Sequence, residues 1–279
     1  MLKSGLAIHI LLSGLFLTGN LAQAQQSDCA SISRRGTEVI LTANSWDPVL
    51  AIGETLSDTY GVNVSVESPK WDFPNEAEDV TLADPQYSHE HPTAHYMVIK
   101  PHTLEVRFNA TGGRINPNDV LSVLRQLVDV ANTEMPYAYR LDVNAEDFVI
   151  VPTRGKSSTG AMDDVQPLLD RRVTIPPAMR PIYEHGRLLA EQLSKESGLH
   201  VGCCQSMVSG IPWGGAKVFY GANDKPAREV LRALIQLNQE SSTARSPRPY
   251  FDHWVVRCDG TGSPWCFIDV ASTFGNRCR

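Results

Sequence analysis

Three histidines, His89, His91 and His95, fall within seven residues, with Glu90 between them and His102 just beyond. Imidazole and carboxylate are ligands for Zn²⁺ or Cu²⁺, so a loop folding back here could gather His89, His91 and His95 around one ion. A hydrolytic metal centre is the enzymatic reading of this chain, as a small exported metal-dependent hydrolase. The tract is not H-E-x-x-H, because Thr93 stands where the second histidine belongs. Pro92 also disfavours the helix that would align His91 with His95. A solvated polar insertion accounts for the same composition. No cofactor is therefore expected, zinc at these histidines being the one candidate.

Nucleophilic chemistry has less to stand on. Neither a G-x-S-x-G elbow nor a P-loop occurs, and the segment around Ser209 lacks the first glycine. The acidic pairs Glu76/Glu78 and Asp163/Asp164 lie in aperiodic stretches, where carboxylates are solvated and keep ordinary acidity. No catalytic residue is assigned. Aromatics in Pro/Gly-rich segments carry a different chemistry. Trp71, Phe73, Tyr87 and Trp213 sit outside any periodic apolar face. They are the candidate binding anchors, since Trp and Tyr dominate interface hot spots.

The cysteines are Cys29, Cys203, Cys204, Cys258, Cys266 and Cys278. An even number in an exported chain favours disulfides, and six permit about 15 connectivities. The vicinal pair Cys203–Cys204 fits poorly with the roughly 5.5 Å Cα spacing a disulfide prefers. Bonds from Cys203 or Cys204 to Cys258 or Cys266, and from Cys29 to Cys278, are expected. The absence of any C-x-x-C pair argues against zinc at cysteine.

Export is read from residues 1–24: Lys3, an apolar run over 6–17, and Ala22-Gln23-Ala24 as a cleavage site. Gly14, Gly19 and Asn20 interrupt that run, which is shorter than the roughly 20 apolar residues of a membrane span. No stable membrane insertion is expected after cleavage, and a periplasmic or secreted location follows. The net charge of −6 argues against nucleic acid, whose affinity comes from Lys and Arg on phosphates. Another envelope or secreted protein is the expected partner; the oligomeric state is open.

The elements that must position these groups repeat. Residues 188–201 read LLAEQLSKESGLHV, an amphipathic helix ended by Gly198 and followed by a strand; residues 52–64 read IGETLSDTYGVNV. Ile52 answers to Leu189, Leu56 to Leu193, Gly61 to Gly198 and Val64 to Val201. Further on, VLSVLRQL at 120–127 matches VLRALIQL at 230–237 in five of eight positions. Matched order of this kind marks repeated supersecondary units. Strands are expected at 38–42, 62–66, 96–100, 104–108, 137–143 and 147–152, with Ser45 or Asp47 and Pro48 opening the first helix. The end strands 148–151 and 253–256 are matched to each other, with 266–270 as an added strand.

The fold class is α+β. Two tandem βαββαβ-like units are expected, each a small mixed sheet with two helices, the second stapled by disulfides. A flexible segment covers 25–36, the first unit 37–155 with a Pro-rich insertion at 67–95, a linker 156–180 and the second unit 181–279. In this sequence Leu189, Leu193, Gly198, Leu199 and Val201, then Val230, Leu231, Leu234 and Leu237, form a pattern. The first copy carries it through Ile52, Leu56, Gly61, Val62, Val64, Val120, Leu121, Leu124 and Leu127. This pattern resembles the short N-terminal domain of secretins and TonB-dependent receptors. The resemblance implies a periplasmic protein-interaction or signalling module. Both copies depart from it in carrying extra loops, and no barrel or secretin core accompanies them.

Overall fold

A computed structural model of the chain describes residues 29–70, 76–83, 85–90, 93, 95, 97–144, 147–157, 159–203, 215–242, 252–258, 265–271 and 278, with backbone alone at 83, 86, 87 and 242. The chain opens on a hairpin, β1 (Ser31–Arg35) with β2 (Glu38–Ser45). Asp47 then caps α1 (Pro48–Tyr60), its Oδ1 accepting the Leu50 N–H at 3.0 Å, with Pro48 in the first turn. Gly61 ends the helix at φ +70°, in the left-handed region that favours glycine. β3 (Val64–Glu67) follows, buried along its whole length. The insertion contributes β4 (Ala77–Asp79) and α2 (Pro85–Glu90), and β5 (Met97–Ile99) follows it. The unit is completed by β6 (His102–Thr111), β7 (Arg114–Ile115), α3 (Pro117–Glu134), β8 (Ala138–Val143) and β9 (Phe148–Lys156).

After β10 (Met162–Asp164) and a 3-10 turn at Leu168–Asp170, the order repeats. It runs β11 (Arg172–Pro181), α4 (Ile182–Ser197), β12 (His200–Cys203), β13 (Lys217–Pro226), α5 (Ala227–Ser242), β14 (His253–Cys258) and β15 (Trp265–Ala271). Gly198 ends α4 at φ +71°, as Gly61 ends α1. Pairing repeats as well. β2 lies antiparallel to β6, and β11 to β13. β3 runs parallel to β9, which is antiparallel to β8; β12 runs parallel to β15, which is antiparallel to β14. Topology therefore matches β9 with β15 and β8 with β14, which corrects the match of 148–151 to 253–256. Short β-branched runs resemble one another whichever ladder they join, so spacing alone misassigned them.

The two units share one sheet. β14 pairs in parallel with β3, Val255 against Val66 and Val256 against Glu67, and the Ser68 N–H donates to the Val256 carbonyl at 2.8 Å. Strand order is β8–β9–β3–β14–β15–β12, with β10 also against β9. The two triplets keep their order across the sheet while every strand direction reverses. Their relation is thus a half-turn about an axis lying along the sheet, combined with a shift. The half-turn exchanges the faces. Val64, Val66, Ile150 and Val255 join the core under α1 and α3, whereas Val149, Val151, Trp254, Val256, Ile268 and Val270 join the core under α4 and α5. Each fully buried aliphatic side chain contributes roughly 1.5–3 kcal/mol to such a core.

The expected flexible segment 25–36 and the expected linker 156–180, in which Val173–Ile175 could add a strand, both hold paired strands. Ser31–Arg35 forms β1 although every side chain in it is exposed; the pairing is by backbone, which leaves no apolar pattern to read. Much of 156–180 is β10, the 3-10 turn and β11. Val173 and Ile175 of β11 alternate into the core, and a register shift between Ile175 and Ala178 accommodates Pro176 and Pro177. Residues 1–24, the expected signal, lie outside the described residues.

Disulfides join Cys29 to Cys278, as expected, and Cys258 to Cys266. The second corrects the expectation that Cys203 or Cys204 reaches that pair. Cys258 and Cys266 stand directly opposite each other on β14 and β15, with Cα atoms 4.0 Å apart. Cys203 is also disulfide-bonded, and Cys204 lies outside the described residues. Oxidised cysteines are the habit of exported chains. No described helix is long and apolar enough to cross a membrane.

Candidate interaction surface

On the first triplet, the sheet face turned away from α1 and α3 is closed. Val149 and Val151 are 1% and 0% exposed, packed with Leu168 and Leu169 in the core of the second unit. Polar groups lock this closure. The buried Glu67 carboxylate accepts the N–H groups of Leu168 and Leu169. Burial pushes its pKa up to about 7, against the pull of those bonds and of Arg228. Arg228 of α5 bridges Asp142 on β8, at 2.7 Å, and Asp170; Arg140 joins both carboxylates. Arg232 reaches Asp147 at 2.6 Å.

The corresponding face of the second triplet is closed only at its first strand. There Val255 enters the core under α1, and Arg257 Nη2 donates to both carboxylate oxygens of Glu54 on α1, at 2.8 and 2.9 Å. One strand further the cover ends. Trp265 is 44% exposed and Phe267 47% exposed on β15. Their rings stack 6.1 Å apart at 11°, and His200 on β12 stacks on Trp265 at 4.7 Å. Gly202, opposite Phe267 in the register, is what admits this ring: a Cβ there would come within 2.8 Å of Phe267 Cδ1. The result is an aromatic ridge running to β12, the last described strand of the sheet. Exposed contiguous apolar surface of this kind marks interaction sites.

A second exposed apolar pair, Met179 and Phe219, faces out from the β11–β13 ladder. Pro176, Pro177 and Pro181 deprive β11 of donors, which blunts its edge for strand addition. A cavity of about 330 Å³ lies past the carboxyl ends of β3 and β14, lined by Glu67, Lys70, Lys156, Asp163, Asp164 and Arg171 among others. Its one deeply buried carboxylate, Glu67, is engaged with backbone N–H groups, and Ser68 Oγ donates to Asp47, the α1 cap. Those bonds are structural.

Of the residues expected from sequence, Trp71, Phe73, Trp213 and His91 lie outside the described residues, as does the side chain of Tyr87. His89 is exposed on α2. His95 is exposed and its Nδ1 lies 2.5 Å from Asp79 Oδ2, a bond that holds the Asp79 carboxyl down to about 2. His102 Nε2 meets Glu76 Oε2 at 3.1 Å. Among the described residues no three His, Cys, Asp or Glu side chains converge as a metal site. The ridge escaped sequence reasoning. In WCFIDV both alternating sets are largely apolar, so the string does not say which face of β15 stays open.

No family model, curated protein or solved structure matches this chain.

Proposed function

We propose that this protein is a non-enzymatic interaction module of the bacterial envelope, periplasmic or secreted, binding another protein through the open end of its shared sheet. The carrying observation is the asymmetry between two equivalent faces: one packs under helices, and the other presents His200, Trp265 and Phe267. Aromatic side chains supply much contact area at small entropic cost. The two tandem units, similar in pattern to the short N-terminal domain of secretins and TonB-dependent receptors, support the same reading.

The test is a crosslinking pull-down with the oxidised chain, residues 25–279, from the envelope fraction of its own cells. One reproducible partner, lost with W265S/F267S, is the expected result. Capture unaffected by those substitutions would remove the ridge from the site. Metal analysis of the same preparation separates this reading from a metal-dependent hydrolase. Zinc well below one equivalent is expected, and stoichiometric zinc lost in His91→Ala would overturn the binding reading.

A further inference from the structure

We infer that the cavity at the seam of the two units binds a small organic anion, a carboxylate or a phosphate ester, held by Arg171 together with Lys70 and Lys156. β9, β3 and β14 are adjacent and run parallel. Their carboxyl ends, at Lys156, Glu67 and Cys258, therefore come out at one end of the sheet, and all three residues line the cavity. Open parallel sheets bind ligands at such ends, where the chains diverge and leave a crevice. The volume of about 330 Å³ falls at the low end of the roughly 300–1,000 Å³ of small-molecule sites. Val165, Leu168 and Leu199 supply apolar wall.

Arg171 selects for an anion. Arg140, Arg228, Arg232 and Arg257 are half-buried, and each pairs with a carboxylate. Arg171 is half-buried on the cavity wall, and among the described residues no carboxylate meets it. Its Nη1 donates to the Glu196 carbonyl at 2.9 Å, near the end of α4, and its Nε is buried with no hydrogen-bond partner. One bond thus fixes the guanidinium and leaves its other donors without a protein acceptor. A planar fork held in this way matches the paired oxygens of a carboxylate or phosphate. Lys70 and Lys156 add positive charge from the first unit, Lys156 also lying 3.7 Å from Glu76. The carboxylates on the wall oppose them weakly. Asp163 and Asp164 lie on β10, exposed along its whole length, where water and salt screen them. Glu67 is buried, and burial pushes its pKa up to about 7 while Arg228 of α5 and Asp170 of the 3-10 turn act on it in opposite directions. Below neutral pH it is mostly uncharged. A bound anion touches both units and holds them together.

Thermal unfolding of the oxidised chain at a pH below neutral is the test. Succinate, citrate or glycerol 3-phosphate is titrated in, with sodium chloride of matched ionic strength as the control. A ligand of the native state raises Tm with the logarithm of its concentration. At least one of the three is expected to do so, by about 5 °C or more at a hundredfold excess over its Kd. Arg171→Gln should weaken that ligand roughly tenfold or more. Lys70→Gln should weaken it roughly two- to fivefold. Lys70 is exposed, so K70Q decides the matter if R171Q fails to fold. A response to the carboxylates alone, or to the phosphate ester alone, identifies the group that is bound. No stabilisation beyond that of chloride overturns the inference, as does a response that both variants retain unchanged. The site shares no residue with the ridge, so either failure leaves the ridge reading standing.

Discussion

The first and second triplets of the shared sheet are built by the same order of strands, yet Val149 and Val151 are sealed while their counterparts, Phe267 and Asp269, are not. The difference comes from position in the array. The first triplet has a neighbour on its far side, whose helices cover it. Among the described residues the second is last, and the contacts of α1 with this triplet are made at β14. Composition agrees: the sealed strand carries β-branched residues on that face, and the open one carries large aromatics that stack on one another. Stacking is how an open strand limits its own apolar exposure.

The largest expected effect lies at the sealed face. Val151→Asp places a charge among Leu168, Leu169 and the helices of the second unit. It should destabilise by more than about 3 kcal/mol, read as a shift in the urea midpoint. A loss below about 1 kcal/mol would mean the second unit does not close this face in solution.

Glu67 is the next test. Its folded pKa of about 7 lies above the ordinary 4.5, so the native state holds this proton more tightly than the unfolded chain. Its contribution is fully present below about pH 4.5 and is lost as pH rises to about 7. The loss is on the order of 2–4 kcal/mol. Glu67→Gln should flatten the stability profile over that window, measured by urea melts at several pH values. An unchanged slope would show that the carboxylate is solvated and the latch to Leu168 and Leu169 is open. The smallest effect is expected at the open face. Phe267→Asp should stay within about 0.5 kcal/mol of wild type while abolishing binding at the ridge. Destabilisation as large as that of Val151→Asp would erase the contrast between the two faces.

Much of the architecture was legible in the string. The repeated helix–Gly–strand phrase located α1 with β3 and α4 with β12, because a left-handed C-cap leaves a glycine where it occurs. Asp47-Pro48 marked the start of α1 for an equally local reason, and that cap forms; Asn116 caps α3 in the same way. The Cys29–Cys278 bond was anticipated. Strands that escaped include β1, held by backbone pairing, and the stretch of β11 beyond Ile175, broken by proline. The Cys258–Cys266 bond escaped because it depends on β14 and β15 facing each other in one register.

Local chemistry thus determined where helices begin and end, and the α+β class. The tertiary structure alone decided that β3 meets β14 to make one sheet of two units, and which side of β15 is left open. Periodicity reports how many faces of a strand are apolar, not what stands opposite them. That depends on contacts between residues as far apart in the chain as Val66 and Val255, and only the assembled layers specify those.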